Sequence, residues 1–127
     1  MKYFILAFKN WNKFNGRANR AEYWYFVLFH TMLNIILNGI ILFLIPVGEV
    51  SDVQYKISNS IALIGSIFNI VCIIPSLSLS VRRLHDVNKS GWNILWSLTI
   101  IGIFYLIYLN IIKGSEGDNH YGTPSNA

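Results

Sequence analysis

Three stretches of the chain carry no Asp, Glu, Lys or Arg: Tyr23–Gly48, Ser60–Val81 and Trp92–Ile112. Each is predominantly apolar, and each is long enough as a helix to cross a hydrocarbon core about 30 Å thick. Membrane barrels instead show short alternating segments, so antiparallel sheet is a poor alternative. The pattern predicts an all-α polytopic membrane protein: a compact bundle of three transmembrane helices at about 23–45, 60–81 and 92–112. Ahead of them, Met1–Phe14 places Lys2, Lys9 and Lys13 near one helical face and Phe4, Phe8 and Trp11 near another. That pattern predicts an N-terminal amphipathic helix lying at the membrane interface over residues 1–14. Residues 15–113 then form the membrane domain, and 114–127 a flexible polar tail rich in turn residues.

Local signals refine the elements. Asn19 with Glu22 three positions on reads as reciprocal capping at the start of the first span. Tyr23, Trp24 and Tyr25 follow, as suits a membrane–water boundary. Pro46 ends that helix, while Pro75 predicts a kink in the second, with Ser76, Ser78 and Ser80 able to satisfy the freed backbone groups. Gly102 lies within the last apolar run; a re-entrant hairpin there would have arms of about ten residues, too short to cross, and a full crossing is expected.

Composition agrees. The chain is 54% hydrophobic and 13% charged, against roughly a quarter charged in soluble domains. Little is left for a separate catalytic domain. The net charge of +4 reads as a topological bias rather than as a nucleic-acid surface. Lys2, Lys9, Lys13, Arg17 and Arg20 precede one acid, Glu22; Arg82, Arg83 and Lys89 share a short loop with Asp86; the intervening loop holds Glu49 and Asp52. The positive-inside rule puts the N-terminus and the 82–91 loop in the cytoplasm. Three crossings would then leave the tail outside.

Two constellations are candidates for function. The first is a charged cluster at the cytoplasmic junctions: Arg17, Arg20, Glu22, Arg82, Arg83, His85, Asp86 and Lys89. Asp86 is placed to accept from Arg17 or Arg20 and clamp the helices together, since the planar guanidinium fork suits a carboxylate. The remaining arginines would face anionic lipid headgroups, a phosphorylated ligand or a partner's acids. The second is a polar stripe, His30, Asn34 and Asn38 at intervals of four, with Asn69 and Ser66 on the second span. It suits hydrogen bonds between helices and, alternatively, the lining of a wet path. No catalytic residue is assigned, because adjacency of His85 and Asp86 does not orient one toward the other. No metal or cofactor is expected: His30, His85, His120 and Cys72 are scattered, and Glu116, Asp118 and Asn119 match no calcium loop. Cys72 is expected to be a buried small hydrophobe.

Phe14-Asn-Gly-Arg-Ala-Asn-Arg-Ala-Glu-Tyr-Trp24, Ile74-Pro-Ser-Leu-Ser-Leu-Ser-Val-Arg-Arg-Leu-His-Asp-Val-Asn-Lys-Ser-Gly-Trp92 and Gly114-Ser-Glu-Gly-Asp-Asn-His-Tyr-Gly122 together resemble domain-of-unknown-function family 805, small bacterial inner-membrane proteins. The resemblance implies a multi-pass inner-membrane location and no established activity. It covers Gly16, Arg17, Arg20, Glu22 and Trp24, then Pro75, Arg82–Asp86 and Ser90–Trp92, and finally Gly114, Gly117, Asn119 and Gly122. Members commonly have glycine where this chain has Asn88, a residue that also tolerates left-handed backbone. Members often have proline in the last apolar run, where this chain has Ile100-Ile-Gly102.

The expected function is that of a small interaction, regulatory or lipid-binding protein with a basic cytoplasmic rim. Its partners would be membrane lipids with anionic headgroups and a protein partner or further copies of itself. The alternative is a subunit of a homo-oligomeric small-solute transporter or channel lined by His30, Asn34 and Asn38.

Overall fold

The computed structural model describes residues 2–44 and 51–125. They form α1 (Lys2–Lys9), α2 (Arg20–Leu44), α3 (Asp52–Asp86), a 3-10 segment (Gly91–Leu98) and α4 (Ile100–Ile111). No strand occurs among the described residues. Pro46 and Glu49, expected in the first loop, lie outside them. Packing divides the chain into two units, Met1–Val27 with Ile74–Ala127, and Leu28–Ile73.

Helix ends follow the local chemistry. Asn19 Oδ1 accepts from Glu22 N at 2.9 Å and Glu22 Oε1 from Asn19 N at 3.2 Å, the reciprocal cap expected for α2. Ser51 and Gln54 make the same exchange at the start of α3. At the end of α3, Lys89 N donates to Leu84 O and Asn88 N to His85 O, both at 2.9 Å, with Asn88 left-handed at φ 56°. This is a Schellman termination with asparagine in the usual glycine position.

α2 and α3 are long and apolar enough to cross a membrane. Only 6% and 11% of their most apolar stretches are buried within the chain. In Leu28–Ile73, α2 and α3 meet through the stacking of His30 on Phe68 and the approach of Leu37 to Gly65. Cys72 is buried there.

Four expectations change. First, α1 ends at Lys9, leaving Trp11 and Lys13 beyond it. Phe4 and Phe8 pack against a core of Ala7, Ala18, Phe26 and Leu79, so α1 spends its aromatic face on protein. Second, Pro75 lies within α3, which spans Asp52–Asp86, but the serines that follow it are not all spent on that helix. Ser78, expected to serve the freed backbone of its own helix, donates instead to Asn10 O at 3.0 Å and Lys13 O at 2.6 Å, holding the first connector.

Third, the 92–112 run is not one continuous helix. The 3-10 segment ends at Thr99, which is extended (φ −123°, ψ 146°), and α4 then packs back along it. Thr99 Oγ1 caps α4 by accepting from Gly102 N at 3.0 Å. A Cβ on Gly102 would overlap the Trp96 carbonyl, so the fold-back needs glycine at that point.

The tail, expected to be flexible, is also tied down. Asn119 and Gly122 exchange backbone bonds, and Ser115 N donates to Asp86 O at 2.8 Å.

Candidate functional site

The last turn of α3, the connector before α2 and the tail converge on Asp86. Ala18 N donates to Arg82 O at 3.0 Å, pinning the connector to α3. From there Arg17 Nε donates to Asp86 Oδ1 at 2.9 Å. Arg83, one turn before Asp86, pairs with the other carboxylate oxygen. Arg17 spends its remaining donors on backbone carbonyls of the tail, Nη1 on Gly117 and Nη2 on Ser115, both at 2.6 Å. Arg83 Nη2 reaches Ile112 O at 2.5 Å. Gly114 lies so close that a Cβ there would overlap the Asp86 carboxylate.

A second ion pair lies alongside. Arg82 Nη1 stands 3.8 Å from Glu22 Oε2, while Glu22 Oε1 accepts from Ser125 Oγ. Arg82 is 5% exposed, yet its Nε and Nη2 have no hydrogen-bond partner among the described residues. Burial lowers the pKa of Arg82 and of Arg83, opposed by Glu22 and Asp86 respectively. The buried charges do not balance: Arg17, Arg82 and Arg83 face Glu22 and Asp86, an excess of one positive charge. Removing one partner from a buried pair of this kind costs a protein about 3–5 kcal/mol.

His85 does not pair with Asp86. Its Nδ1–H donates to Gly16 O at 3.1 Å, and its ring stacks on Tyr121 with centroids 3.9 Å apart. Burial pushes its pKa down, partly offset by the Gly16 bond. Arg20 and Lys89 stay at the surface. Arg20 makes a long contact to Ile111 O, 3.4 Å, and borders an open groove of about 210 Å³ with Asn19, Lys113 and Ser125. Six of the eight expected residues are thus buried together, and two are not.

Sequence reasoning missed the tail's part in this site. Asn119 Nδ2 donates to His85 O at 2.9 Å, and Tyr121 covers the imidazole. The glycines of this segment and Asn119 were visible only as a family-like pattern; nothing in their composition pointed to Arg17.

The polar stripe is assembled in part. Asn69 Nδ2 donates to Asn34 Oδ1 at 2.9 Å. Asn38 donates to Asn34 O of its own helix at 2.8 Å, and borders a groove of about 170 Å³ with Ser66 and Asn69. No three His, Cys, Asp or Glu side chains among the described residues form a metal-binding group.

The family model described as "Protein of unknown function (DUF805)" matches residues 11–123, and those bounds include every member of the arginine cluster. The chain belongs to the DUF805 family. Among its relatives, inner membrane protein YhaI of Escherichia coli (strain K12) is 31% identical over 123 residues, covering 96% of this chain and 93% of that protein. Inner membrane protein YhaH of the same strain is 28% identical over 124 residues, covering 96% and 94%. No solved structure matches significantly.

Proposed function

We propose that this DUF805 protein resides in the bacterial inner membrane, crosses it through the uncharged parts of α2 and α3, and binds anionic lipid with its arginine rim. The names of its relatives support the location. The basic excess before Glu22 and in the 82–89 loop supports a cytoplasmic N-terminus and rim. On this reading it is an interaction or regulatory protein, and the rim is a binding surface with no catalytic part.

One observation carries the lipid reading: three buried guanidiniums against two buried carboxylates, with Arg82 only partly partnered. An uncompensated buried cation is costly. The unpartnered Arg82 nitrogens are enclosed, so a phospholipid phosphate would supply the missing charge from the surface, at the exposed Arg20, whose charge is felt at Arg83 and whose guanidinium fork matches a phosphate. Trp24 Nε1 donates to Asn110 O at 3.1 Å beside this cluster, a placement that suits the headgroup level.

Native mass spectrometry of protein released from its own membrane tests this. Anionic phospholipid should stay bound in preference to zwitterionic lipid. Arg20→Gln and Arg82→Gln should each lower that retention. Equal retention of both lipid classes by the unaltered protein would refute the reading.

The groove beside Asn38 supports the second reading, a homo-oligomeric small-solute conduit. Asn34 is already bonded to Asn69, which favours helix pairing for that part of the stripe. A conduit requires solute flux in vesicles that Asn38→Leu abolishes.

A further inference from the structure

We infer that residues 91–112 form a re-entrant hairpin, which enters the leaflet next to the arginine rim and leaves by the same face, covered by lipid acyl chains. The inference rests on the membrane residence proposed above. Both ends of the run meet the end of α3. Gly91 lies against Val81 and His85, while Ile112 O accepts from Arg83. A chain that departs from and returns to one helix end has not crossed. The tail gives the same answer independently: Arg17, ahead of the first crossing, binds the carbonyls of Ser115 and Gly117. The two segments therefore share a side, which requires an even number of crossings.

Length fits one leaflet. Eight 3-10 residues at about 2.0 Å each reach roughly 16 Å. Twelve α-helical residues at about 1.5 Å each reach roughly 18 Å. Half of a hydrocarbon core about 30 Å thick is roughly 15 Å.

The surface fits acyl chains. No charged residue lies between Lys89 and Lys113, which flank the two arms. Large apolar side chains are exposed at both the base and the tip: Trp92 is 79% exposed at the start of the first arm, and Leu98, Ile100 and Ile101 are 81%, 79% and 82% exposed around Thr99. Backbone inside lipid must find partners within the protein, and much of the corner does. Thr99 N donates to Trp96 O at 3.0 Å, Ile103 N to Thr99 O at 3.0 Å, and Thr99 Oγ1 to Trp96 O at 3.1 Å.

Single cysteines on a Cys72→Ser background test the hairpin. Lys13→Cys and Asp118→Cys, both at exposed positions, should react with an impermeant maleimide in inverted vesicles and lose that labelling in sealed spheroplasts. Ile100→Cys carrying bimane should be quenched most by a spin label near the acyl-chain end. Labelling of Lys13→Cys and Asp118→Cys from opposite faces would establish a full crossing and overturn the hairpin. Strongest quenching by a spin label near the headgroup, or none by any depth, would overturn insertion. Labelling of both cysteines from outside would keep the hairpin and reverse the proposed orientation. Recovery of the chain in the soluble fraction would overturn membrane residence and the hairpin with it.

Discussion

His85 shows how much one position depends on its surroundings. Its neutral ring is held between the Gly16 carbonyl and the face of Tyr121, and burial holds its folded pKa below the ordinary value of 6.5. The unfolded chain therefore takes up a proton first as the solution is acidified. His85 contributes stability that is complete above about pH 6.5 and is lost as pH falls toward the folded pKa. The melting temperature in detergent should drop between pH 7.5 and 5.5, and His85→Gln should flatten that drop. A slope unchanged in the variant would show that the pH dependence comes from other groups. Sequence alone showed His85 as a neighbour of Asp86; that the ring faces away from it, toward a carbonyl and a tyrosine from two distant segments, is a tertiary fact.

Among the elements, the caps were the most legible. Asn19 and Glu22 act on each other across one turn, and Asn88 adopts a backbone region open to few residues. The Asn19–Glu22 cap is local, so spacing suffices to read it; the turn at Asn88 was legible through the family resemblance, which implies glycine at that position. The fold-back of 92–112 was hidden because an uncharged run reports the solvent around a segment and not the direction of its chain. Its only marker is a threonine three residues before a glycine, Thr99 and Gly102, a helix start placed inside apolar sequence. Two glycine substitutions separate this corner from an ordinary helix. Gly102→Ala brings a Cβ into the Trp96 carbonyl and should lower the melting temperature. Gly39→Ala in α2 meets nothing within 4 Å and should be neutral or raise stability by about 0.5–1 kcal/mol. Equal effects at the two sites would mean that the corner tolerates a side chain.

At the scale of the whole molecule, the two ends of the chain hold each other. Arg17 donates to carbonyls 98 and 100 residues away, and Ser125 reaches Glu22. A polar segment with several glycines reads as disordered because it cannot bury apolar area; here it is ordered by offering backbone acceptors to a buried cation. Carbonyls belong to every residue, so this role leaves no compositional trace. Ending the chain after Lys113 removes the Ser115 and Gly117 acceptors of Arg17, the ring over His85 and the Ser115–Asp86 bond together. Arg17 would keep Asp86 alone, and an under-satisfied buried charge destabilises by several kcal/mol. The truncated protein should melt well below the full chain, and its 15–19 connector should become open to protease in inverted vesicles. A synthetic peptide of residues 114–125 should restore part of the protection, because the acceptors it supplies are backbone groups. A truncated chain as stable and as resistant as the intact one would mean that Asp86 alone satisfies Arg17 and that the tail is an ornament on the rim.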